Sequence, residues 1–495
     1  MSQITFQPEL RPALPVIKGC KDYREELDRF IRIDEILVKS GIEQKFVELS
    51  IEQKNIKTSS MSAAQVESFM RGCHMALRGN VARTLKALPH REFCKMLPDS
   101  TMLRWFIGCE KVDGVKAYAK STSDRFAHWL DEKSLQQLNE MLITALATEG
   151  FSAELNLQEE VDFEDVYFDG TCLKADIHYP VDWVLLRDLT RTLMKATVII
   201  RRENLKHRMP QEPLEFLSEI NTLAMKMAAS GGVKGARKMR KQTLRLMKNL
   251  VKKVRNHARN HLRLLEQRGH ETTLGPGAQE QLKKRLQNVL DQVQSAVDQA
   301  HERIIGERLL KNEDKILSLY DEDVEVIVRG KAHAKVEFGN KLWLGENQQG
   351  LIVDYLLEKN QTSDSKHVLP ALDRLKEEMN LPVQRVWGDR GLDSKTNAKK
   401  LTEQDVYNGL CPKNVSELSD RLEQEPELAR GLKRRAGIEA RISILIKNFM
   451  GNKDKPRAKG FEHRQMMVGW GVFSHNLWVL ARIPQKEPDK LSAAA

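Results

Sequence analysis

The chain has 495 residues, a formal net charge of +11, and a composition of 41% hydrophobic and 30% charged residues. These values are ordinary for a soluble globular protein of two or three domains. Six scattered cysteines without a C-x-x-C pair argue against a disulfide framework or a zinc module, and no apolar run is long enough to span a membrane. The positive charge indicates a polyanionic partner without identifying it.

The first 150 residues predict helices. Ser62 followed by Gln65 matches a capping box that would open a helix. Leucines at helical spacing over 135–146 predict a later helix that stops near Gly150. Few strand-like runs interrupt this region. We therefore predict a helical N-terminal domain over residues 1–150.

Strand signals begin after this region. The apolar run 166–168 leads directly into Asp169, and further strand candidates lie at 324–328, 335–344, 351–357, 383–387 and 406–411. A helix is predicted over 368–379, and a final helical pair follows the last strand. Strands followed by helices, with one long helical interruption, indicate an α+β fold. We predict a mixed-sheet domain built from 151–184 and 321–485, an insert over 185–320, and a disordered tail over 486–495.

The predicted insert has a strongly basic helix. Residues 231–265 contain twelve Lys and Arg side chains and no Asp or Glu, and a Gly-Pro-Gly break at 275–277 precedes an amphipathic return helix. This pattern predicts an antiparallel helical hairpin. The cations could form a solvated face, but their mutual repulsion favours contact with DNA phosphates, which would weaken steeply with salt. Candidate contacts are Arg237, Lys238, Arg240, Lys241, Lys252 and Lys253. We interpret His257 and His261, four residues apart, as part of this basic face.

Three acidic residues stand out by their context. Asp169 and Asp389 each follow an apolar strand. Glu439 lies in a predicted helix that runs continuously from Leu432 through Arg435 and has Ile438 and Ile442 on its apolar face. Their separations, 389 − 169 = 220 and 439 − 389 = 50, mean that only a fold could bring them together. The alternative is that these are ordinary residues, because an aspartate after a strand is often a turn residue or a helix cap.

Three carboxylates in one pocket would need a counter-charge. Without one, at least one of them would have to take up a proton. Mg²⁺ prefers oxygen ligands, and two such ions suit in-line attack at a phosphodiester. The residues alone therefore allow a two-metal site at these three acids. They equally allow many other sets of three acids to be chosen from the sequence.

Several sequence blocks, in chain order, resemble the DDE transposases of bacterial insertion sequences, especially the ISNCY group. The blocks are DGT at 169–171, FGNK at 338–341, WGDRG at 387–391, RAGIE at 435–439 and WGVFSHNL at 470–477. The stretch 97–150 is also similar to the helical N-terminal domain of these transposases, which would bind DNA ends and dimerise. The likeness covers most of residues 90–485.

The resemblance implies an RNase H-like catalytic domain interrupted by the helical insert. It implies that Asp169, Asp389 and Glu439 are catalytic and hold two Mg²⁺ ions, for which Mn²⁺ can substitute. The expected partner is double-stranded DNA, at the terminal inverted repeats and at the target, with a homodimer assembled on it. A bacterial cytoplasmic location, with the protein on the nucleoid when bound to DNA, is expected. The chain lacks a G-x-x-x-x-G-K-[ST] loop, so no nucleotide cofactor is predicted.

The third block departs from the family pattern. A tyrosine often precedes its arginine by three residues, but Leu432 occupies that position here, and the expected lysine falls one residue late, at Lys447. We expect Arg435, Arg390 and Lys447 to contact DNA, with an ion pair between Arg435 and Glu439 as the alternative for Arg435. An inactive or domesticated DNA-binding regulator and a metal-dependent nuclease without strand transfer remain alternative functions.

Overall fold

The computed structural model describes residues 11, 13–111, 114–232, 234–328, 336–360, 362–450 and 458–486. The chain divides into two compact units, Met1–Asp176 with Asn340–Ala495, and Ile177–Gly339. These units do not coincide with the predicted domain boundaries, so the predicted layout stays a prediction. Most of the predicted tail, residues 487–495, lies outside the described residues. None of the described helices combines the length and the apolar character that a membrane span requires.

The first unit begins with helices. They are α1 Lys21–Lys39, α2 Ile42–Gln53, α3 Ala63–Leu85, α4 His90–Met96, α5 Thr101–Ile107, α6 Lys120–Ala127, α7 Glu132–Ala147 and α8 Phe151–Glu154. The predicted capping box is present at the start of α3. The backbone N–H of Gln65 donates to Ser62 Oγ at 3.4 Å, and the backbone N–H of Ser62 donates to Gln65 Oε1 at 2.8 Å. A two-stranded ribbon, β1 Glu110–Lys111 and β2 Gly114–Val115, interrupts the helices.

The second unit is a helical bundle with a short hairpin. Strand β3, Asp165–Lys174, precedes it in the first unit, and its helices are α9 Asp182–Arg202, α10 Pro213–Ala229, α11 Ala236–Arg268 and α12 Pro276–Ala300. Helix α9 packs against the other three, and α11 packs against α12, as the predicted hairpin requires. Their apolar stripes form a separate buried core. Strand β4, Glu325–Val328, pairs antiparallel with residues 336–339.

The chain then completes the sheet of the first unit. Its strands are β5 Val336–Asn347, β6 Ile352–Leu357, β7 Arg385–Gly388 and β8 Tyr407–Leu410, and its helices are α13 Val368–Asp373, α14 Lys395–Glu403, α15 Val415–Gln424, α16 Pro426–Arg435, α17 Ile438–Ile444 and α18 Phe461–Leu480. The strand order in this unit is β6-β5-β3-β7-β8. Strand β5 is antiparallel to β6, whereas β3, β7 and β8 run parallel. The predicted α+β class is confirmed as a mixed sheet with many helices.

The two faces of this sheet pack into different cores. Phe168 belongs to a core shared with the N-terminal helices and α18, whereas its neighbour Tyr167 belongs to a core that includes Ile438 and Ile442 of α17. Successive side chains of a strand point to opposite faces, which explains this division. One face of β3 is therefore covered by the helices that lead to Glu439.

Candidate active site

Asp169 lies on β3 and Asp389 directly follows β7, the neighbouring parallel strand. Strands β3 and β7 pair Asp165 with Arg385 and Tyr167 with Trp387, an offset of 385 − 165 = 220 residues. The same offset relates Asp169 to Asp389, since 389 − 169 = 220, and Asp389 directly follows β7. Neighbouring strands are about 4.8 Å apart. Continued two residues past the last observed pair, Tyr167 with Trp387, this register would place the two acids side by side.

Asp169 differs from its predicted position in one respect. The prediction placed it after the end of a strand, but β3 continues through it to Lys174, so Asp169 is a strand residue. Its Oδ1 accepts a hydrogen bond from the Gly170 amide at 2.8 Å. The strand continues because residues 172 and 173 are apolar and buried on the sheet.

Both other acids affect the pKa of Asp169. Burial raises the pKa of Asp169 to about 6; the negative charge of Asp389 adds to this rise, Arg435 opposes it, and Glu439 adds a smaller rise. Repulsion between carboxylates disfavours the ionised form, which is the physical cause of the two charge effects. The fold thus brings Asp389 and Glu439 within electrostatic range of Asp169.

Asp389 is held in a tight turn. Its Oδ1 accepts a hydrogen bond from the Gly391 amide at 2.8 Å, and its carbonyl oxygen accepts one from the Leu392 amide at 3.1 Å. This side chain-to-backbone bond is the turn role that an aspartate after a strand often has. The turn orients the carboxylate and leaves Arg390 exposed to solvent.

Glu439 lies just after a break between two helices, which corrects the prediction of one continuous helix. Arg435 ends α16, residues 436 and 437 form a turn, and Glu439 is the second residue of α17. Its side chain is exposed, whereas the predicted apolar residues Ile438 and Ile442 are buried. No ion pair joins Arg435 to Glu439 among the described residues, so the surface-pair alternative is not realised here.

The three acids have the chemistry of a divalent-cation site without its final geometry. Within the described ranges, no group of three or more His, Cys, Asp or Glu side chains converges closely enough to hold a metal ion. Carboxylate oxygens are nevertheless the donors that Mg²⁺ prefers. A cation would also relieve the repulsion that raises the pKa of Asp169. The donor set fits such an ion, but the side chains would have to draw closer to share it.

Trp387 supports the Asp389 turn, and its importance was not apparent from the sequence. Its ring is 2% exposed, and its Nε1 donates to Asp165 Oδ1 at 2.6 Å. Asp165 also accepts hydrogen bonds from Arg385 at 2.8 and 2.9 Å. These contacts lock β7 to β3 two to four residues before the acids. Only the alternation of side chains along the strand could have suggested that Trp387 lies on the same face of the sheet as Asp165 and Tyr167.

A buried glutamate behind the site was also missed. Glu346 of β5 is 3% exposed and receives Arg434 at 2.9 Å and Arg441 at 2.6 Å. The two arginines lie on either side of the break that precedes Glu439. The predicted strand ended at residue 344, so Glu346 fell between two strand candidates, where a glutamate carries no signal for such a contact; in the structure β5 continues to Asn347.

The predicted DNA contacts near the acids differ in exposure. Arg435 is half-buried and acts electrostatically on Asp169, whereas Arg390 is exposed. Lys447 is exposed on a π-helical turn, Leu445–Phe449, that continues α17. All three belong to the same unit as the acids.

The basic helix α11 divides its cations into two groups. Glu307 forms ion pairs with Arg237 and, at 2.7 Å, with Lys241. Arg240 donates to Ser230 Oγ at 2.6 Å. By contrast, Lys238, Lys252 and Lys253 are exposed and have no acidic partner in the part of the chain that the structure describes. Half of the six predicted contacts are therefore already engaged within the chain.

The histidine interpretation of this helix was wrong for one residue. His261 is 0% exposed and lies in the bundle core, where its Nδ1 is 2.7 Å from the His257 carbonyl oxygen. It therefore does not belong to the basic face. His257 is half-buried against Phe216.

Comparison with known proteins identifies one family. Residues 321–477 match the family model of the transposase DDE domain. The matched segment includes Asp389 and Glu439 and excludes Asp169. No curated protein and no solved structure matches the chain. The match agrees with the resemblance of the sequence blocks and supports a transposase activity: residues 321–477 of the chain are similar to the transposase DDE domain.

Proposed function

We propose that this chain is a transposase that binds the terminal inverted repeats of an insertion sequence and cleaves and transfers DNA strands by direct attack on phosphodiesters. Asp169, Asp389 and Glu439 are its proposed catalytic carboxylates. The observation that supports this most strongly is the matched register of β3 and β7, which relates the first two acids across 220 residues. The mixed sheet that carries them is consistent with the RNase H-like catalytic domain implied by the resemblance.

The proposed mechanism begins with the orientation of the two aspartates. Each has one carboxylate oxygen fixed by a backbone amide, that of Gly170 for Asp169 and that of Gly391 for Asp389. The second oxygen of each has no hydrogen-bond partner among the described residues. These free oxygens, together with Glu439, would hold two Mg²⁺ or Mn²⁺ ions. When bound, such ions activate the attacking water or 3′-hydroxyl and stabilise the leaving 3′-oxyanion.

Arg435 has two proposed roles. Its charge favours the ionised form of Asp169. Its guanidinium, at the end of α16, can also bind a phosphate of the DNA end in bidentate geometry. Exposed Arg390 and Lys447 would add phosphate contacts on the same unit. Charge at this surface positions the backbone of DNA and carries no sequence information by itself.

The proposed duplex-binding face of α11 is a stripe of exposed polar residues. Its cations recur every seven residues, and amides lie between them: Lys238, Gln242, Arg245, Asn249, Lys252, Asn256 and Arg259, all exposed. Seven residues of α-helix advance about 10 Å and return nearly to the same face. None of these cations has an acidic partner in the described part of the chain. The stripe, with Lys253 beside it, would contact phosphates, and its amides could reach base edges.

A homodimer on DNA and a place in the bacterial cytoplasm, on the nucleoid when bound, complete the proposal. Both follow from the function, since paired element ends call for paired transposases. The described part of the chain contains no membrane-spanning helix, and the proposal requires none.

The decisive experiment incubates the protein with Mg²⁺ and a labelled element end in the presence of target DNA. The wild type should give both a cleaved 3′ end and a strand-transfer product. Asp389→Asn should bind the end and yield neither product. Asp393→Asn, four residues along the same loop, serves as the matched control and should behave like the wild type. Cleavage without transfer would indicate a nuclease, binding without cleavage by the wild type would indicate a regulator, and ordinary cleavage by Asp389→Asn would exclude that residue from the site.

A further inference from the structure

Glu346 connects the end of β5 to both helices that flank Glu439. It is 3% exposed, and a single oxygen, Oε1, accepts hydrogen bonds from Arg434 at 2.9 Å and from Arg441 at 2.6 Å. Arg434 belongs to α16 and Arg441 to α17. One buried carboxylate therefore joins the two sides of the helix break.

Additional contacts fix each arginine. Arg434 donates to the carbonyl oxygens of Asn347 at 3.1 Å and Gln348 at 2.7 Å, and its guanidinium lies 4.7 Å from the ring centre of Tyr167. Arg441 lies so close to Gly350 that a Cβ built on this glycine would be 3.1 Å from Arg441 Nε. Both arginines are thus held against the turn between β5 and β6.

This arrangement determines where α17 begins. Residues 436 and 437 form only a turn, and Glu439 is exposed, so the contacts of Glu439 itself do not hold it in place. The anchors on either side do so instead. Tyr167, under Arg434, is two residues before Asp169 on the same strand and face, which relates the anchor directly to the first acid.

The energetics of this ion cluster favour a role in orienting α16 and α17 rather than in stabilising the fold. Burying the Glu346 carboxylate and partly burying the guanidinium groups of Arg434 and Arg441 carries a large desolvation cost, which their attraction offsets only when the geometry is good. Removal of the carboxylate would leave two like charges close together in a buried place. The arginines would then separate, and the helix ends that they hold would move apart.

We propose that Glu346 is a positioning residue that holds Glu439 within reach of Asp169 and Asp389. It touches neither the DNA nor the bound ions in this proposal, and it acts only through Arg434 and Arg441. The inference rests on the proposed role of Glu439 in catalysis. The anchor itself can be tested independently of that role.

The test compares Glu346→Met, which removes the acceptor, with Glu346→Gln, whose amide oxygen can still accept from both arginines. Asp354→Asn is the matched control. Asp354 of β6 is 6% exposed and accepts from Arg374 at two distances of 2.9 Å, but it makes no ion pair with α16 or α17. Two readouts are required: hydrogen exchange measured by mass spectrometry over residues 428–449, and the single-turnover cleavage rate on a labelled element end.

In Glu346→Met the backbone amide hydrogens of residues 434–444 should exchange faster than in the wild type. This variant should also cleave the DNA end on the order of 100-fold more slowly, since a shift of about 1 Å at a reacting centre can have that effect. Its affinity for DNA should not change. Glu346→Gln should retain most of both properties, and Asp354→Asn should leave exchange over 434–444 and the cleavage rate close to wild type. If Glu346→Met does not fold, Arg441→Met, which removes one half of the anchor, replaces it with the same expectations.

Unchanged exchange over 434–444 in Glu346→Met would overturn the anchor, and normal cleavage despite faster exchange would overturn the positioning role. An equal loss of cleavage in Asp354→Asn would reduce the effect to general destabilisation and also overturn it. A wild type that does not cleave would instead remove the proposed function, while the exchange measurement would still decide the anchor.

Discussion

Gly431 of α16 lies directly against the indole ring of Trp387: a Cβ built on Gly431 would be 2.1 Å from Trp387 Cζ3. Gly409 of β8 is similarly close, with a built Cβ 2.2 Å from Trp387 Cε3. The large ring fits under α16 only because both neighbours lack a side chain. Trp387 is followed by Gly388 and then by Asp389, so this packing sets the height of the helix above the turn that carries the acid.

Gly431→Ala should therefore destabilise the protein. The ring is buried and hydrogen-bonded to Asp165, so it cannot move aside freely. Overpacking of this kind costs about 1–3 kcal/mol. Urea unfolding measures the loss, and cleavage should fall with it. Gly277→Ala in α12 is the control, because a Cβ there meets nothing within 4 Å and alanine favours the helix. Equal stability of Gly431→Ala and the wild type would contradict this packing.

Asp169→Asn should stabilise the metal-free protein at neutral pH. The pKa of Asp169 is raised from 3.8 to about 6, so the folded state binds more protons than the unfolded state between these values. Stability therefore falls as pH rises from about 4 to about 6, and the full cost, roughly 3 kcal/mol, remains above that range. The asparagine removes this cost, so its advantage should be present at pH 7.5 and absent below about pH 4.

Unfolding free energies at several pH values check this, with Asp165→Asn as the contrast on the same strand. Burial raises the pKa of Asp165, but the hydrogen bonds from Arg385 and Trp387 outweigh it and lower the pKa overall. Asp165→Asn should consequently destabilise the protein at neutral pH. If Asp169→Asn also destabilised it there, the ionised form of Asp169 would not be disfavoured by burial and by Asp389 in the folded protein.

Glu43 should control the acid stability of the N-terminal helices. Burial alone would raise its pKa, but the hydrogen bond from His74 and the ion pair with Arg78, which is 0% exposed, lower the pKa of Glu43 to about 2. Because the folded pKa lies below the unfolded one, the contribution is present above about pH 4.5 and is lost as pH falls towards 2. Breaking a buried pair by removing one partner costs about 3–5 kcal/mol.

Glu43→Gln should thus unfold more readily at pH 7 and show a shallower decline of stability between pH 5 and 3. Lys21→Gln, which removes an exposed partner of Glu25, should leave both properties unchanged. If Glu43→Gln lost stability between pH 5 and 3 as steeply as the wild type, the acid sensitivity would arise from other residues.

The stripe on α11 should govern how DNA binding depends on salt. Replacement of Lys238, Arg245, Lys252 and Arg259 by glutamine removes four exposed cations that have no acidic partner among the described residues. Each phosphate contact contributes about 0.9 to the slope of log affinity against log salt, so the slope should decrease by about 3 to 4. Titrations at several salt concentrations measure it.

The matched control for the stripe is the double variant Arg237→Gln and Lys241→Gln. These cations are paired with Glu307, so their removal should change the slope much less. An equal decrease in both variants would mean that the whole helix, rather than the stripe, binds the duplex.

The sequence predicted local features better than tertiary ones. The Ser62 cap, the strand before Asp389 and the apolar face at Ile438 and Ile442 are local patterns, and the structure confirms them. The extension of β3 through Asp169 and the helix break before Glu439 were missed, because sheet pairing and tertiary anchors decide them. His261 was misjudged since basic neighbours in sequence say little about which side of a helix is buried.

The candidate site shows the same limit. Asp169 and Asp389 were suggested because each follows an apolar strand. Only the pairing of β3 with β7 could show that their separation in sequence equals the offset between the paired strands. Glu346 and the glycines around Trp387 carry no sequence signal at all. Their importance arises from contacts between residues that are far apart in the chain.

The pairing of β3 with β7 also imposes an order on biosynthesis. At about 5–20 residues per second, β3 leaves the ribosome roughly 10–40 s before its partner strand. The four helices α9–α12 have a core of their own and can fold during that interval. The carboxylates therefore meet last. Under the proposed function, a chain that stopped near residue 340 would retain the cations of α11 but lack Asp389 and Glu439, and such a product could occupy element ends without cutting them.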